Sequence, residues 1–163
     1  TITSVLAGNV DHGDSLGNKS TIGAADVECM TAGSGIVHQE MPHGNDRGQM
    51  HGFQLWANLP SSLKMTHPRY QDVSAKDIPE VTDDDGTKAR VICGSFWGKR
   101  GPVEGVAAEP QYVDIWVPPG TRRTLAAWGA RVWTRTLPPA RPRPLRPASW
   151  VTRANVRSSS VAK

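Results

Sequence analysis

The chain has 163 residues, of which 37% are hydrophobic, and it contains 16 glycines, 13 prolines and a formal net charge of +4. Such a length suits one ordinary domain or one and a half small ones, and the many glycines and prolines predict short elements joined by turns. No segment approaches the roughly 18 unbroken apolar residues of a membrane helix, and no secretory leader pattern is present, so a membrane role is not expected.

The first predicted elements are short strands with a hairpin between them. The segment TITSVLAG (Thr1–Gly8) predicts a strand that stops at a glycine. The segment NVDHGDSLGNKSTIG then places Val10 and His12 in one phase of a second strand and turns at Gly17-Asn18, which is typical of a β-hairpin. A further short strand is predicted at Val27–Met30.

A Gly-rich turn and a histidine–glutamate pair follow in MTAGSGIVHQEMP, Met30–Pro42. Gly33 and Gly35 allow a tight reversal of the chain. His38 and Glu40 are two residues apart in the next predicted strand, so their side chains share one face. Two interpretations fit such a pair: a hydrogen-bonded structural pair, or half of a site for a metal such as Fe(II), Mn, Ni or Zn.

The remaining predicted elements are also strands. The segment MHGFQLWANLP (Met50–Pro60) is apolar in both phases and predicts a strand that is covered on both faces. Gln54 and Trp56 share one phase of it. Two interpretations fit them, a lining of the cavity or a place in the core and barrel wall, and we favour the second. Residues 61–80 predict a polar connector, and ARVICGSFWG and QYVDIWVPPG predict two more strands. The sequence therefore predicts an all-β fold.

The other histidines and the two cysteines are interpreted as structural. His12 is expected to form a hydrogen bond with Asp14, and three further histidines are expected to be solvated or structural: His43, His51 and His67. Cys29 and Cys93 are too few and too far apart for a disulfide scaffold or a CxxC motif. We expect them to be small buried hydrophobic residues in a reducing, cytoplasmic setting.

A family resemblance favours the metal-site interpretation of the His38–Glu40 pair over the structural one. The run MTAGSGIVHQEMP, with VDHGDSLGNKSTIGAADVECM before it and HGFQLWANLPSSLKM and PRYQ after it, resembles the pirin family of cupin-type proteins. The resemblance is close from Thr1 to about Gln71 and looser to about Thr124, where YVDIWVPPGTRRTL resembles the first strand of a second barrel.

The resemblance implies a bicupin arrangement of two jelly-roll barrels. Residues 1–75 would be a partial N-terminal pirin-type barrel without its first strands, and residues 76–110 a connector with inter-barrel strands. Residues 111–125 would begin the second barrel, and residues 126–163 would be an Arg- and Pro-rich irregular tail.

The resemblance also implies metal-ligand roles for His38 and Glu40. The implied metal is Fe(II), with Mn, Ni, Cu and Zn as alternatives. In the family an upstream His-x-His pair completes the site, and this sequence begins at Thr1. We therefore expect those two ligands to be missing and the metal affinity to be reduced.

The function implied first is that of an enzyme of the quercetin 2,3-dioxygenase type, which cleaves a flavonol with dioxygen and releases carbon monoxide. Glu40 would be the catalytic residue, tuning the metal or acting as base on the flavonol hydroxyl. Two alternatives stay open. One is a non-enzymatic, iron-dependent, redox-sensing co-regulator with a protein partner, and the other is an inactive fragment.

The last part of the chain differs from the rest in charge. All 15 acidic residues lie between Asp11 and Asp114 with nine Lys and Arg, a net charge of −6, whereas Ile115–Lys163 has ten Lys and Arg and no acid, a net charge of +10. Five prolines between Pro138 and Pro147 exclude a helix or a central strand there. Three interpretations compete: a basic arm for nucleic acid or an anionic membrane, a PxxP ligand, or the product of a shifted reading frame.

Overall fold

Short strands joined by tight turns make up residues 1–125, the part of the chain that this computed structural model describes. The strands, in chain order, are β1 (Ile2–Ala7), β2 (Asn9–Asp14), β3 (Lys19–Ile22), β4 (Val27–Thr31), β5 (His38–His43), β6 (His51–Leu55), β7 (Arg69–Val73), β8 (Glu80–Thr82), β9 (Lys88–Cys93), β10 (Ser95–Phe96), β11 (Lys99–Arg100) and β12 (Tyr112–Trp116). Single 3₁₀ turns lie at Ser61–Leu63 and Ala75–Asp77. The all-β prediction is confirmed, and no helix within these residues is long and apolar enough to cross a membrane.

The strands pair antiparallel into three main sheets. The first sheet has the order β6-β1-β4-β7, the second β3-β2-β5 and the third β12-β9-β8, while β10 and β11 form a small ribbon. The predicted hairpin is confirmed, because β2 pairs with β3 through Val10–Ile22 and Gly13–Lys19. The implied division at residues 75 and 110 stays a prediction. The tail at 126–163, with its three interpretations, lies outside the described residues.

Apolar side chains on both faces of β1 hold the sheets together. Val5 packs with Val10 and Ile22, which joins the first sheet to the second. On the opposite face of β1, Ile2 belongs to a cluster that joins the first sheet to the third. The other buried members of that cluster are Val27, Cys29, Leu55, Ile78, Ile92, Cys93, Val103 and Tyr112. Burial on both faces explains why β1 is a central strand.

The Gly-rich turn has the conformation that the sequence predicts. Gly33 has a φ of +52° and Gly35 a φ of +133°, both in the region that favours glycine. A Cβ on Gly33 would lie 2.1 Å from the carbonyl oxygen of Thr66. The next residue, Ser34, donates its backbone N–H to the same carbonyl at 2.8 Å. This contact fixes the turn from which β5 begins.

Two element predictions are wrong. The segment Met50–Pro60 is not a long strand covered on both faces, because β6 ends at Leu55, Phe53 is 42% exposed and Trp56 is 70% exposed. These side chains are exposed because β6 is an edge strand of the first sheet. Residues 61–80 are not only a connector, because they contain β7 at the opposite edge. Edge strands are often polar and therefore lack the alternating apolar pattern.

Candidate metal centre

The pairing of β2 with β5 places the predicted pair beside a third functional residue. His12 lies opposite Glu40 and Asp14 lies opposite His38 in the antiparallel register. Residues opposite each other in such a pair project to the same face of the sheet. Two histidines and one glutamate therefore share a face, although they come from separate segments of the chain.

These three side chains form a compact donor cluster. One ring nitrogen of His12, one ring nitrogen of His38 and one carboxylate oxygen of Glu40 all lie within 4.8 Å of one another. His12 is buried, Glu40 is half-buried and His38 is exposed. The structure thus brings His38 and Glu40 together as predicted in sequence, at a position that remains open to solvent.

A polar row on the first sheet faces this cluster. Thr3 of β1 lies opposite Glu28 of β4 and opposite Gln54 of β6, so the three side chains form a row across the sheet. Gln54 contacts Glu40, and Glu28 contacts His12, so the row bridges the two sheets. The candidate centre therefore lies between two sheets, with its His38 side open to solvent.

The carboxylate of Glu40 is held by Gln54. The amide Nε2 of Gln54 lies 3.0 Å from each of the two Glu40 oxygens and donates to Thr3 Oγ1 at 3.0 Å. The indole Nε1 of Trp56 donates to Gln54 Oε1 at 2.5 Å. The interpretation of Gln54 and Trp56 as core and barrel wall is therefore wrong, because both line the site. The apolar neighbours of Gln54 in the sequence favoured the core interpretation over a place on the cavity wall.

The prediction of a hydrogen bond from His12 to Asp14 is also wrong. His12 Nε2 lies 3.8 Å from Asp14 Oδ2, which is too long for a hydrogen bond. Its Nδ1 lies 3.2 Å from Glu28 Oε1 without the alignment that a hydrogen bond requires, so neither ring nitrogen has a partner among residues 1–125. The ring stacks against Tyr70 at 4.6 Å and lies 5.5 Å from the His38 ring, centroid to centroid. Asp14 instead caps the β2–β3 turn, since its carboxylate accepts from the turn backbone.

A buried chain of polar groups lies behind His12. Tyr70 donates its hydroxyl to Glu28 Oε2, and the Tyr70 hydroxyl lies 3.0 Å from Ser20 Oγ. Burial raises the pKa of Glu28 to about 7, although the Tyr70 hydrogen bond opposes this shift. Burial, followed by the same hydrogen bond, also raises the pKa of Tyr70. No local sequence pattern predicts these buried polar contacts, because Ser20, Glu28 and Tyr70 come from three separate strands.

The centre opens into a cavity of about 510 Å³. His38, Glu40 and Gln54 lie on its wall, and Trp56 lies at its exposed side. Apolar residues form much of the remaining wall: Ile2, Met30, Ile36, Leu59 and Val106. Apolar walls with a few convergent polar groups are typical of small-molecule sites, and this volume falls within their usual range of about 300–1,000 Å³.

The three other histidines lie outside the cluster, in agreement with their structural interpretation. His43 Nε2 lies 2.9 Å from Asp11 Oδ2 on the surface. His51 is exposed, with its ring 5.6 Å from that of Phe53, and His67 is exposed beside a smaller cavity.

The two cysteines are free and buried, as predicted. Burial raises the pKa of both thiols, and for Cys93 it reaches about 11. Such thiols are unreactive at neutral pH.

A first-row divalent cation fits the donor set of this centre. Two imidazoles and one carboxylate are the ligands of the open non-haem Fe(II) site. The lack of hydrogen-bond partners for the buried His12 ring within the described residues supports the same fit, because buried polar atoms normally have a partner. His38 and Glu40 would hold the cation, and the cavity leaves room beside them for a small molecule.

Comparison with known proteins finds relatives with similar sequences. The family model described as Pirin matches residues 1–57. A pirin-like protein of Caulobacter vibrioides is 43% identical over 122 residues, which cover 74% of this chain and 44% of the relative. A pirin-like protein of Arabidopsis thaliana is 41% identical over 124 residues, which cover 75% of this chain and 39% of the relative. The chain thus spans less than half the length of these relatives.

A solved structure resembles the described fold. The crystal structure of a quercetin 2,3-dioxygenase from Acinetobacter baumannii aligns with a TM-score of 0.56 and 40% sequence identity. The alignment covers 64% of this chain and 38% of that chain. The described fold is thus similar to that of a protein named quercetin 2,3-dioxygenase.

Proposed function

Because this chain belongs to the pirin family of cupin proteins, we propose that it binds Fe(II) at His38 and Glu40 and cleaves a flavonol-like molecule in the manner of a quercetin 2,3-dioxygenase. Mn, Ni, Cu and Zn are alternative occupants of the same donor set. The observation that carries the proposal is the position of His38 and Glu40 on the wall of an open cavity of about 510 Å³. A buried metal site with no such cavity would suit a purely structural role.

The residues of the cavity have separate roles in this proposal. His38 and Glu40 would hold the cation, which would supply a site for bringing a flavonol and dioxygen together. The Glu40 carboxylate would also accept the proton of the flavonol hydroxyl. Gln54 keeps this carboxylate in place through its two hydrogen bonds. The apolar wall suits an apolar substrate, and Trp56 offers an aromatic face to a planar ring system.

The test of this function is a flavonol assay on the Fe(II)-loaded chain. Quercetin absorbance and dioxygen concentration should fall together, and carbon monoxide should be trapped by reduced haemoglobin. His38→Ala should abolish all three signals. His43→Ala should keep them, because His43 lies on the surface with Asp11. Loss of absorbance without carbon monoxide, or equal activity in His38→Ala, would refute the proposal.

The alternative function, an iron-dependent co-regulator with a protein partner, makes a different prediction. A regulator needs a surface that changes with the oxidation state of iron, and it needs no substrate-sized cavity. The substrate-sized cavity beside His38 and Glu40 therefore favours the enzymatic proposal. A chain that binds iron, leaves flavonols intact and gains a protein partner only with Fe(III) would support the regulator instead.

A further inference from the structure

The buried histidine His12 has no role in the function described so far. Its side chain is 4% exposed, yet neither ring nitrogen has a hydrogen-bond partner among residues 1–125. An unpaired polar ring in this position destabilises the fold unless something compensates for it. A buried imidazole without a hydrogen-bond partner in the described part of the chain, close to two other donor groups, has the surroundings of a metal ligand.

The register of the second sheet gives this ring its direction. His12 lies opposite Glu40 on the same face of the β2–β5 pair, and one of its nitrogens is within 4.8 Å of the donor atoms of Glu40 and His38. Behind the ring lies Tyr70, whose own ring contacts it in a tilted arrangement at a centroid distance of 4.6 Å.

We propose that His12 is a third protein ligand of the metal at His38 and Glu40, and that Glu28 is its positioning residue. The inference rests on the proposed metal function and adds a ligand to it. Together the three residues form a set of two histidines and one carboxylate, which binds one face of a divalent cation and leaves other positions open.

The contact with Glu28 selects which nitrogen binds. Glu28 Oε1 lies 3.2 Å from His12 Nδ1, so a small rotation of the ring lets Nδ1–H donate to the carboxylate. The lone pair of Nε2 is then available to the metal, and a carboxylate behind a ligand histidine fixes its tautomer and raises its basicity. Tyr70 anchors the other oxygen of Glu28 by donating its hydroxyl. Asp14, another acidic neighbour of the ring, is occupied by the turn backbone.

The first experiment measures affinity with Co(II), a spectroscopic substitute for Fe(II). The metal-free chain and three variants would be titrated by calorimetry and by visible absorbance. His12→Gln and His38→Gln should each weaken Co(II) binding at least tenfold and change the ligand-field bands, whereas the surface control His43→Gln should stay within twofold. Wild-type affinity and bands in His12→Gln, with loss in His38→Gln, overturn the role of His12 and leave the proposed metal function intact. Wild-type behaviour in both variants overturns both proposals.

A second measurement uses the unmodified chain, so it does not depend on a variant that folds. Cadmium enriched in its spin-half isotope would be bound to protein with nitrogen-15 in its histidine rings. A ligand nitrogen is then split by coupling through the metal bond, and we expect splitting at Nε2 of His12 and at one nitrogen of His38. Splitting at His38 alone overturns the inference. Splitting at neither overturns the proposed function as well.

The positioning role of Glu28 is tested by rescue. Glu28→Ala should weaken Co(II) binding about tenfold, in line with the loss of a carboxylate behind a ligand histidine. Glu28→Gln should stay within threefold of the wild type, because its amide oxygen can still accept the Nδ1–H hydrogen bond. Equal affinity in both variants, whether strong or weak, would overturn the positioning role.

Discussion

Gln54 Nε2 lies 3.0 Å from both carboxylate oxygens of Glu40, although the two residues belong to different sheets. The same nitrogen donates to Thr3 Oγ1 on the neighbouring strand β1. The direction of the Glu40 side chain is therefore set by the packing of one sheet on the other. The geometry of the centre depends on an amide that is not itself a ligand.

Gln54→Leu should weaken Co(II) binding about 10- to 100-fold, as is usual when a group that orients a metal ligand is lost. The replacement has a similar size and removes the amide that donates to Glu40. Calorimetry with Co(II) would measure the effect. Gln39→Leu is the matched control, because Gln39 is exposed and lies between His38 and Glu40 in the alternating strand β5. Equal losses in the two variants would contradict the orienting role of Gln54.

Trp56→Ala should weaken flavonol binding about threefold to tenfold, because an aromatic contact contributes about 0.5–1.5 kcal/mol beyond its buried area. Trp56 is 70% exposed at the cavity, so its removal should leave the core intact. Trp116→Ala serves as the control, since Trp116 is also exposed, at 46%, and lies on β12 away from the cavity wall. Dissociation constants from equilibrium dialysis decide the comparison. Similar weakening by both variants would refute a stacking role for Trp56.

Gly33→Ala should lower the free energy of unfolding by about 3 kcal/mol, because strained backbone and steric overlap act together there. The new Cβ would lie 2.1 Å from the Thr66 carbonyl oxygen, at a φ of +52°. Gly17→Ala separates the two causes, since Gly17 has a φ of +89° and a Cβ there would meet nothing within 4 Å. That control should lose only about 1 kcal/mol. Urea denaturation followed by tryptophan fluorescence measures both, and equal losses would mean that the Thr66 contact is unimportant.

Cys93 should react with iodoacetamide at pH 8 at least 100-fold more slowly in the folded chain than in guanidinium chloride. Burial raises the pKa of its thiol to about 11, so only about one molecule in a thousand carries the thiolate at this pH. Its Sγ also donates to the Val103 carbonyl oxygen at 3.3 Å. Peptide mass spectrometry after timed quenching would report each cysteine separately. Rapid native labelling of Cys93 would show that the core around β9 opens readily.

The sequence predicts those parts of the fold and site that depend on local pattern. The β2–β3 hairpin follows from a turn-forming segment between two alternating strands, and the shared face of His38 and Glu40 follows from their spacing. The glycine conformations at Gly33 and Gly35 follow from the same kind of local rule. None of these features requires knowledge of how strands that are distant in the sequence pair.

The parts that the sequence does not predict depend on pairing between distant strands. His12 reaches the centre only because β2 pairs with β5 in one register, and a shift by one residue would turn its ring to the other face. Glu28 and Gln54 face the centre only because β4 and β6 flank β1. Tyr70 lies on β7, an edge strand whose polar sequence resembles a loop. A residue's own neighbours in the chain carry no information about these contacts.

The antiparallel register between His12 and Glu40 also has a consequence for folding. A cation held across this register would tie β2 to β5 as a reversible crosslink, and it would bind the folded chain in preference to the unfolded one. The melting temperature should therefore climb with the logarithm of free metal concentration, and chelation should reverse the gain. The same ion that equips the cavity would then also stabilise the long-range pairing of β2 with β5 that builds it.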